Sequence, residues 1–191
     1  PALPRFRARY PDVVIDLRLS DRMVDLVEDG IDVAVRIGAL ADSRLLSRKL
    51  AVQRLSCFAA PAYLAARGHP QRPADLEHHD TVALRYQSSG LLMPWPFQTG
   101  ERITEIQPDA AITVDASDAL IQTLLAGAGI GMTSTLLAAP HVLRGTLIPV
   151  LDAFMVERGP ITAIWPESRR STPSVRAFLD FLQAEFQGPN R

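Results

Sequence analysis

The stretch VDASDALIQTLLAGAGIGM (Val114–Met132) holds the residues best placed to bind a ligand. A short predicted strand, Ala111–Val114, runs into Asp115 and Ser117, two residue types that favour helix N-termini, and an apolar helix pattern follows. A helix that begins beside the end of a strand leaves backbone N–H groups and the positive end of its dipole free for a small polar or anionic ligand. The Ser117 hydroxyl caps its own helix, faces such a ligand, or does both. The pattern therefore predicts binding, for which no covalent chemistry is needed.

The glycines of AGAGIG (Ala126–Gly131) copy part of a dinucleotide-binding fingerprint. They follow a predicted helix and precede a predicted strand, whereas a phosphate-cradling loop has the reverse order. We therefore interpret them as a helix end and a tight turn into a strand, and we predict no cofactor.

Other residue combinations that could do chemistry are missing from the sequence. The adjacent His78 and His79 cannot both face one metal ion from a regular element, and no third ligand stands at a recognisable spacing. We expect a solvated or capping role for both and no metal site. The single cysteine, Cys57, lies in an apolar run and excludes an intrachain disulfide. No nucleophile elbow, Walker motif or distinguished carboxylate pair is present, so we do not expect an enzyme.

Size and composition set further limits. The chain has 191 residues, of which 47% are hydrophobic, enough to bury a substantial core as one domain or two small ones. The net charge of −1 gives no basic surplus for nucleic-acid binding by this chain itself. No apolar run approaches the roughly 18–20 residues of a membrane span, and no signal-peptide pattern is seen. The opening PALPRFRARY reads as a helix interior without a starting methionine, which predicts a fragment of a longer, cytoplasmic protein.

Periodicity places these residues on an α/β framework. A helix over Ala2–Tyr10 precedes an alternating strand, Val13–Leu19, and a short helix capped by Asp21 then leads to a second strand, Ile31–Gly38. Strand, helix and strand within about 25 residues predict a parallel crossover. The remaining predicted elements are extended chain at 48–59, an irregular loop around Trp95 at 87–100, helices at 62–67, 135–143 and from Pro173 onward, and strands at 81–85, 109–114, 147–151 and 161–165.

Several segments, in this order, resemble the effector-binding domain of LysR-type transcriptional regulators. They are DLVEDGIDVAVRIG (Asp25–Gly38), the segment Leu45–Asp80, the stretch VDASDALIQTLLAGAGIGM and the closing strand and helix. The resemblance covers nearly the whole chain. It implies a type-2 periplasmic-binding-protein-like fold of two α/β subdomains joined by two crossover strands. Subdomain I would comprise residues 1–81 and 157–191, and the inserted subdomain II residues 82–156.

The resemblance also implies an effector cleft between the subdomains. Domain closure about two connections and a ligand in the cleft agree with general physical expectation. Ser117 and its helix start, with Arg36 or Arg85, favour a small carboxylate or a hydroxy-aromatic effector, although Arg36 is alternatively a solvated arginine at a strand end. The implied effector-binding residues are Arg36, Ile37 and Gly38 at a strand end, Arg85 and Tyr86 at the first crossover, Ala116 and Ser117 at the helix start, and Met132 and Thr133 after the glycine turn.

Partners follow from the same resemblance. The small-molecule signal would pass to an N-terminal winged helix-turn-helix domain, absent from this chain, that binds promoter DNA. The regulatory domains would associate as an antiparallel homodimer or within a tetramer, with helix Ala2–Tyr10 and strand Val13–Leu19 packed against the partner's second subdomain. We expect no membrane partner.

The resemblance places one further strand between Val13–Leu19 and Ile31–Ile37, and this chain lacks it. Without that strand, the two neighbouring strands would each have a buried edge whose backbone N–H and C=O groups lack hydrogen bonds, which costs free energy. We therefore expect either that residues of the longer protein precede this chain or that another segment fills the gap. A clean, solvent-exposed gap would contradict this.

Two other kinds of protein share the implied fold. A solute-binding protein of a transporter would carry an export signal and would dimerise little. An enzyme such as a prephenate dehydratase or a porphobilinogen-deaminase-like catalyst would need acidic, arginine-rich or cofactor-cysteine sites that the sequence does not show. The order of segments favours the transcriptional regulator.

Overall fold

The chain divides into two units, each with its own packed elements. The computed structural model describes residues 2–20, 24–38 and 44–187. Unit 1 comprises residues 1–52 and 159–191, and unit 2 comprises residues 53–158. Among the described residues, no helix combines the length and the apolarity needed to span a membrane.

Two strands carry the chain between the units. β2 (Leu45–Ala59) enters unit 2 at residue 53, and β9 (Val156–Pro166) leaves it after residue 158. The subdomain boundary at residue 81 stays a prediction, and in this structure residues 53–81 group with unit 2. They belong with unit 2 because the second half of β2 pairs with β7 (Ile130–Ser134) and β8 (Ile148–Val150).

In unit 1, helices α1 (Leu3–Arg9) and α5 (Pro173–Gln187) pack together through aromatic rings. The Phe6 side chain is fully buried, and its ring centroid lies 5.1 Å from those of Phe178 and Phe181. The apolar spacing of α5 predicts this helix correctly. β1 (Ala34–Ile37) pairs antiparallel with β9, from Ala34 opposite Ile164 to Ile37 opposite Ile161. The parallel crossover predicted between residues 13–19 and this strand is wrong, because residues 13–19 lie in no strand.

The strand predicted at Val13–Leu19 does not form. Its residues lie in no strand, and Val14 and Leu19 are 89% and 87% exposed. An alternating pattern becomes a strand only where a neighbouring backbone supplies hydrogen bonds. In the part of the chain that the structure describes, no other segment takes the place of the missing central strand.

The short helix predicted before the second strand is reduced to a turn. The Asp25 carboxylate accepts hydrogen bonds from the N–H groups of Val27 and Glu28, and the turn closes at Gly30 with a φ of +65°. Asp21, the predicted cap, lies outside the described residues.

Unit 2 is organised around a mixed sheet. β3 (Thr81–Leu84) pairs in parallel with both β6 (Ile112–Val114) and β7, and β2 pairs antiparallel with β7. Helix α3 (Ser117–Leu125) packs on β7 so closely that a Cβ atom at Gly131 would lie 3.0 Å from Leu124. The other helices of the unit are α2 (Pro61–Arg67), with proline in its first turn as predicted, and α4 (Thr135–Leu143).

A two-stranded hairpin replaces part of the loop predicted at 87–100. β4 (Trp95–Thr99) pairs antiparallel with β5 (Arg102–Ile106), with Trp95 opposite Ile106. The neighbouring prolines suggested irregular chain, but a proline is tolerated in a strand that has an open edge. Trp95 and Phe97 point into the core because alternate residues of a strand share a face.

Candidate functional site

Three parallel strands of unit 2 end at the same edge of the sheet. β3 ends at Leu84, β6 at Val114 and β7 at Ser134. Because the strands are parallel, the residues that follow them meet at one edge, which we call the carboxyl edge of unit 2. Four predicted site residues belong to it, namely Arg85, Tyr86, Ala116 and Ser117, whereas Met132 and Thr133 lie within β7 before its last residue.

The start of α3 supplies the hydrogen-bond donors of this edge. Ala116, not Ser117, is the N-cap residue; it is extended, with φ −135° and ψ 138°, and no side chain caps the helix. The capping role predicted for the Ser117 hydroxyl is therefore wrong. Ser117 is the first helical residue and is half-buried, and its hydroxyl bonds no other described residue. The first helical backbone bond runs from the Leu120 N–H to the Ala116 carbonyl, so the amides of residues 117–119 precede it.

Arg85 and Tyr86 open a tight turn beside the start of α3. The Arg85 N–H donates to the Val114 carbonyl at 2.7 Å, and its guanidinium Nη1 donates to the Gly90 carbonyl at 2.7 Å. The Gln87 side chain donates to the Asp115 carbonyl at 3.0 Å and so connects this turn to α3. Arg85 and Tyr86 lie within unit 2, which the chain enters earlier, within β2.

The two predicted residues of β7 have buried side chains. Met132 is 1% exposed and packs in the core beside Cys57, so its side chain does not face a ligand. Burial raises the pKa of the Cys57 thiol, which keeps it protonated and unreactive. Thr133 is 5% exposed and lies opposite Ser56, whose hydroxyl donates to Asp152 at 3.2 Å.

Sequence reasoning missed Ser134 and Ser56. The Ser134 hydroxyl accepts a hydrogen bond from the Leu136 N–H and caps α4, so β7 also ends at a helix start. The Ser134-Thr135 pair before an apolar run is the signal that could have found this cap. No comparable signal marked Ser56, because its role depends on the register between β2 and β7.

The other three predicted site residues lie in unit 1. Arg36 and Ile37 end β1, and Gly38 follows with a φ of +97° and donates its N–H to the Pro160 carbonyl at 3.0 Å. The Ile37 side chain is 57% exposed, whereas Arg36 is half-buried. Their part in effector binding stays a prediction.

A second polar cluster of unit 2 involves one of the paired histidines. The Tyr63 hydroxyl accepts a hydrogen bond from the Asp80 N–H at 2.9 Å and lies 3.2 Å from His79 Nδ1. Arg67 pairs with the Asp80 carboxylate at 3.0 Å. Burial and then the positive charge of Arg67 lower the pKa of His79, while burial raises the pKa of Tyr63. Among the described residues, no group of three His, Cys, Asp or Glu side chains could hold a metal ion.

A family model described as the LysR substrate binding domain matches residues 1–187. The chain belongs to this family. An HTH-type transcriptional regulator of Xanthomonas campestris is 33% identical over 95% of this LysR domain and 54% of its own length. The HTH-type transcriptional regulator CrgA of Neisseria meningitidis serogroup C is 31% identical over 97% of this chain and 61% of the relative. The LysR domain thus spans little more than half the length of such relatives.

Solved structures agree with this assignment. The regulatory domain of CrgA, a LysR-type transcriptional regulator from Neisseria meningitidis, aligns with a TM-score of 0.83 and 31% identity, over 97% of this chain and 90% of that one. The regulatory domain of AphB from Vibrio vulnificus has a TM-score of 0.79 at 22% identity and supports the fold alone. The chain therefore has the periplasmic-binding-protein-like α/β fold of two subdomains, and it is the substrate-binding domain of a LysR-type regulator, not a transporter's solute-binding protein.

Proposed function

We propose that this LysR domain binds a small-molecule effector at the carboxyl edge of unit 2 and releases it unchanged. The observation that carries the proposal is the start of α3, where the backbone amides of residues 117–119 and the Ser117 hydroxyl stand at the ends of three parallel strands. Ligands of open α/β sheets bind at this type of edge.

The chemistry of the edge favours a small anion. Backbone amides and the positive end of a helix dipole stabilise negative charge, and a hydroxyl adds one more donor. Arg85 lies exposed at the same edge, although its guanidinium bonds the Gly90 carbonyl. A small carboxylate or a hydroxy-aromatic compound offers the matching acceptors. The Ser117 hydroxyl has no base bonded to it, which supports binding without catalysis.

The rest of the proposal concerns the longer protein. Its relatives are named as HTH-type transcriptional regulators, and we infer that this domain controls an N-terminal winged helix-turn-helix domain that binds promoter DNA in the cytoplasm. Arg36, Ile37 and Gly38 would complete the effector-binding residues. We also infer an antiparallel homodimer, or a tetramer, formed through the regulatory domains.

Thermal unfolding with benzoate, salicylate and succinate tests the effector site. A ligand that binds only the native state raises the Tm, by about 5–10 °C at a hundredfold excess over its Kd. We expect at least one carboxylate to give a saturable rise.

Two variants of nearly equal size locate the binding. Ser117→Asp adds a carboxylate that suits a helix N-terminus but repels an anion, so the rise should disappear. Ser117→Asn keeps the site neutral and should retain most of it. An equal rise in both variants, or no rise with any of the carboxylates, would refute the proposed anion site.

A further inference from the structure

We propose that unit 2 holds a second ligand site, for a neutral, ring-containing molecule that carries an acceptor oxygen. The site is a cavity of about 590 Å³ at the amino ends of β3 and β6. Asp80 and Thr81 line it where β3 begins, and residues 106–111 line it where the chain approaches β6. The carboxyl edge proposed for the effector lies at the other end of these strands. The volume is within the range of sites for small organic ligands.

The indole N–H of Trp95 is a hydrogen-bond donor without an acceptor in the described part of the chain. Trp95 is one of the residues that line the cavity, and it is fully buried. Of the buried side-chain nitrogen and oxygen atoms in the described part of the chain, Trp95 Nε1 is the one without a hydrogen-bond partner. Buried donors are nearly always paired in folded proteins, because an unpaired one loses its bond to water without replacement. An acceptor oxygen of a ligand would supply the missing partner.

His79 lines the same cavity and adds a second donor. The Tyr63 hydroxyl accepts from the Asp80 N–H and has two neighbours for its own hydrogen, the Asp80 carbonyl at 3.5 Å and His79 Nδ1 at 3.2 Å; we take the nearer, Nδ1, as the acceptor. A histidine that accepts at Nδ1 carries its proton at Nε2. His79 Nε2 bonds no other described residue, which leaves a second N–H group for an acceptor.

The charges around the cavity exclude an anion. Glu77, Asp80 and Asp109 contribute carboxylates, and no arginine or lysine is among the described residues that line it. The Asp80 carboxylate is paired with Arg67 at 3.0 Å, and the Glu77 carboxylate lies 3.2 Å from His78 Nε2. Apolar residues also line the cavity, among them Leu76, Ile106 and Pro108, and the first two pack in the same core as Trp95. A neutral ring with a carbonyl oxygen fits these conditions better than a carboxylate does.

Three probes of similar shape and different charge test the site. Benzamide is neutral with a carbonyl acceptor, benzoate is an anion, and benzylamine is a cation. The readout is the indole N–H signal of Trp95 in ¹⁵N-labelled protein, which the Trp165→Phe variant assigns because the chain has two tryptophans. We expect benzamide to move this signal downfield in a saturable way and the two ions to leave it in place. A shift with benzylamine or benzoate and none with benzamide would overturn the proposal.

The affinity of variants for benzamide, measured by isothermal titration calorimetry, completes the test. Trp95→Phe keeps a ring in the core but removes the donor, and we expect an affinity about three- to tenfold weaker. Ala111→Phe fills the cavity from an exposed position, does not disturb the core, and should abolish binding. Ser117→Asp, which impairs the proposed effector site, should leave benzamide binding unchanged. Wild-type affinity in both Trp95→Phe and Ala111→Phe would show that benzamide binds elsewhere.

Discussion

His78 and His79 are neighbours in the chain but occupy different environments. The His78 side chain is 77% exposed, whereas His79 is half-buried and lies against the Tyr63 hydroxyl. Sequence reasoning expected a solvated or capping role for both, because adjacent residues of unknown orientation cannot be told apart. The distinction arises from packing, since α2 brings Tyr63 and Arg67 to one of the two rings only.

The environment of His79 predicts that the protein loses stability in mild acid. Burial and Arg67 lower the pKa of His79 from its ordinary value of 6.5, with a smaller contribution from His78 and opposing ones from Asp75 and Asp80. The unfolded chain therefore binds this proton more readily than the folded one, so the free energy of unfolding falls as the pH drops below about 6.5. Urea unfolding at pH 7.5 and 5.5 should show a smaller loss in His79→Gln than in the wild type.

His78→Gln is the matched control and should keep the wild-type loss. If both variants lose the same stability between the two pH values, His79 does not account for the pH dependence.

At the scale of elements, predictions succeeded where local sequence decides the structure. Pro61 opens α2, the apolar spacing of α5 is that of a helix, and the glycines before β7 form a helix end and a turn, as predicted. They failed at Val13–Leu19 and at the hairpin of Trp95–Ile106, because strand formation depends on a partner that is distant in sequence.

The turn between α3 and β7 contains two glycines that differ in the space available for a side chain. Gly129 has a φ of +153°, and an added Cβ atom would lie 2.4 Å from the backbone oxygen of Asp80, where β3 begins. Gly127 has a φ of +79° with nothing within 4 Å. Gly129→Ala should therefore lower the free energy of unfolding by more than about 3 kcal/mol, and Gly127→Ala by about 1–2 kcal/mol.

Urea unfolding of the two alanine variants measures this difference. Since both replacements add the same methyl group in the same turn, equal losses would mean that the contact with Asp80 does not constrain the turn.

At the scale of the whole molecule, the effector-binding residues that the resemblance implies stay a prediction, and the structure shows only where they lie. Arg85, Tyr86, Ala116 and Ser117 follow two of three parallel strands, but the pattern could not show which side chains face outward. All residues of β7 are buried, so the strand has no alternation of apolar and polar residues that would show which face of the sheet Met132 occupies. Its side chain lies in the core. The sequence left open whether the Ser117 hydroxyl caps its helix, faces a ligand or does both, and only the backbone at Ala116 shows that it does not cap.

Exposed apolar side chains agree with the proposed homodimer. Val14 and Leu19 of unit 1 and Leu143 of α4 are exposed, the last to 75%. Sedimentation of the wild type at micromolar concentration should show a dimer, and Leu143→Asp should shift it toward monomer because a charge would be buried in the contact. Ile103→Asp changes an apolar residue of β5 that is 57% exposed and should leave the dimer intact. A wild-type monomer would contradict the proposal.

The ion pair between Arg54 and Glu157 has a consequence for how such regulators diversify. The two side chains meet at 2.8 Å, one residue inside each end of the continuous segment 53–158. When the two ends of a chain segment lie close together, another segment with similarly spaced ends can replace it without distorting the rest of the protein. Recombination at two nearby joints could then give a regulator a new chemical preference while its other half keeps its sequence.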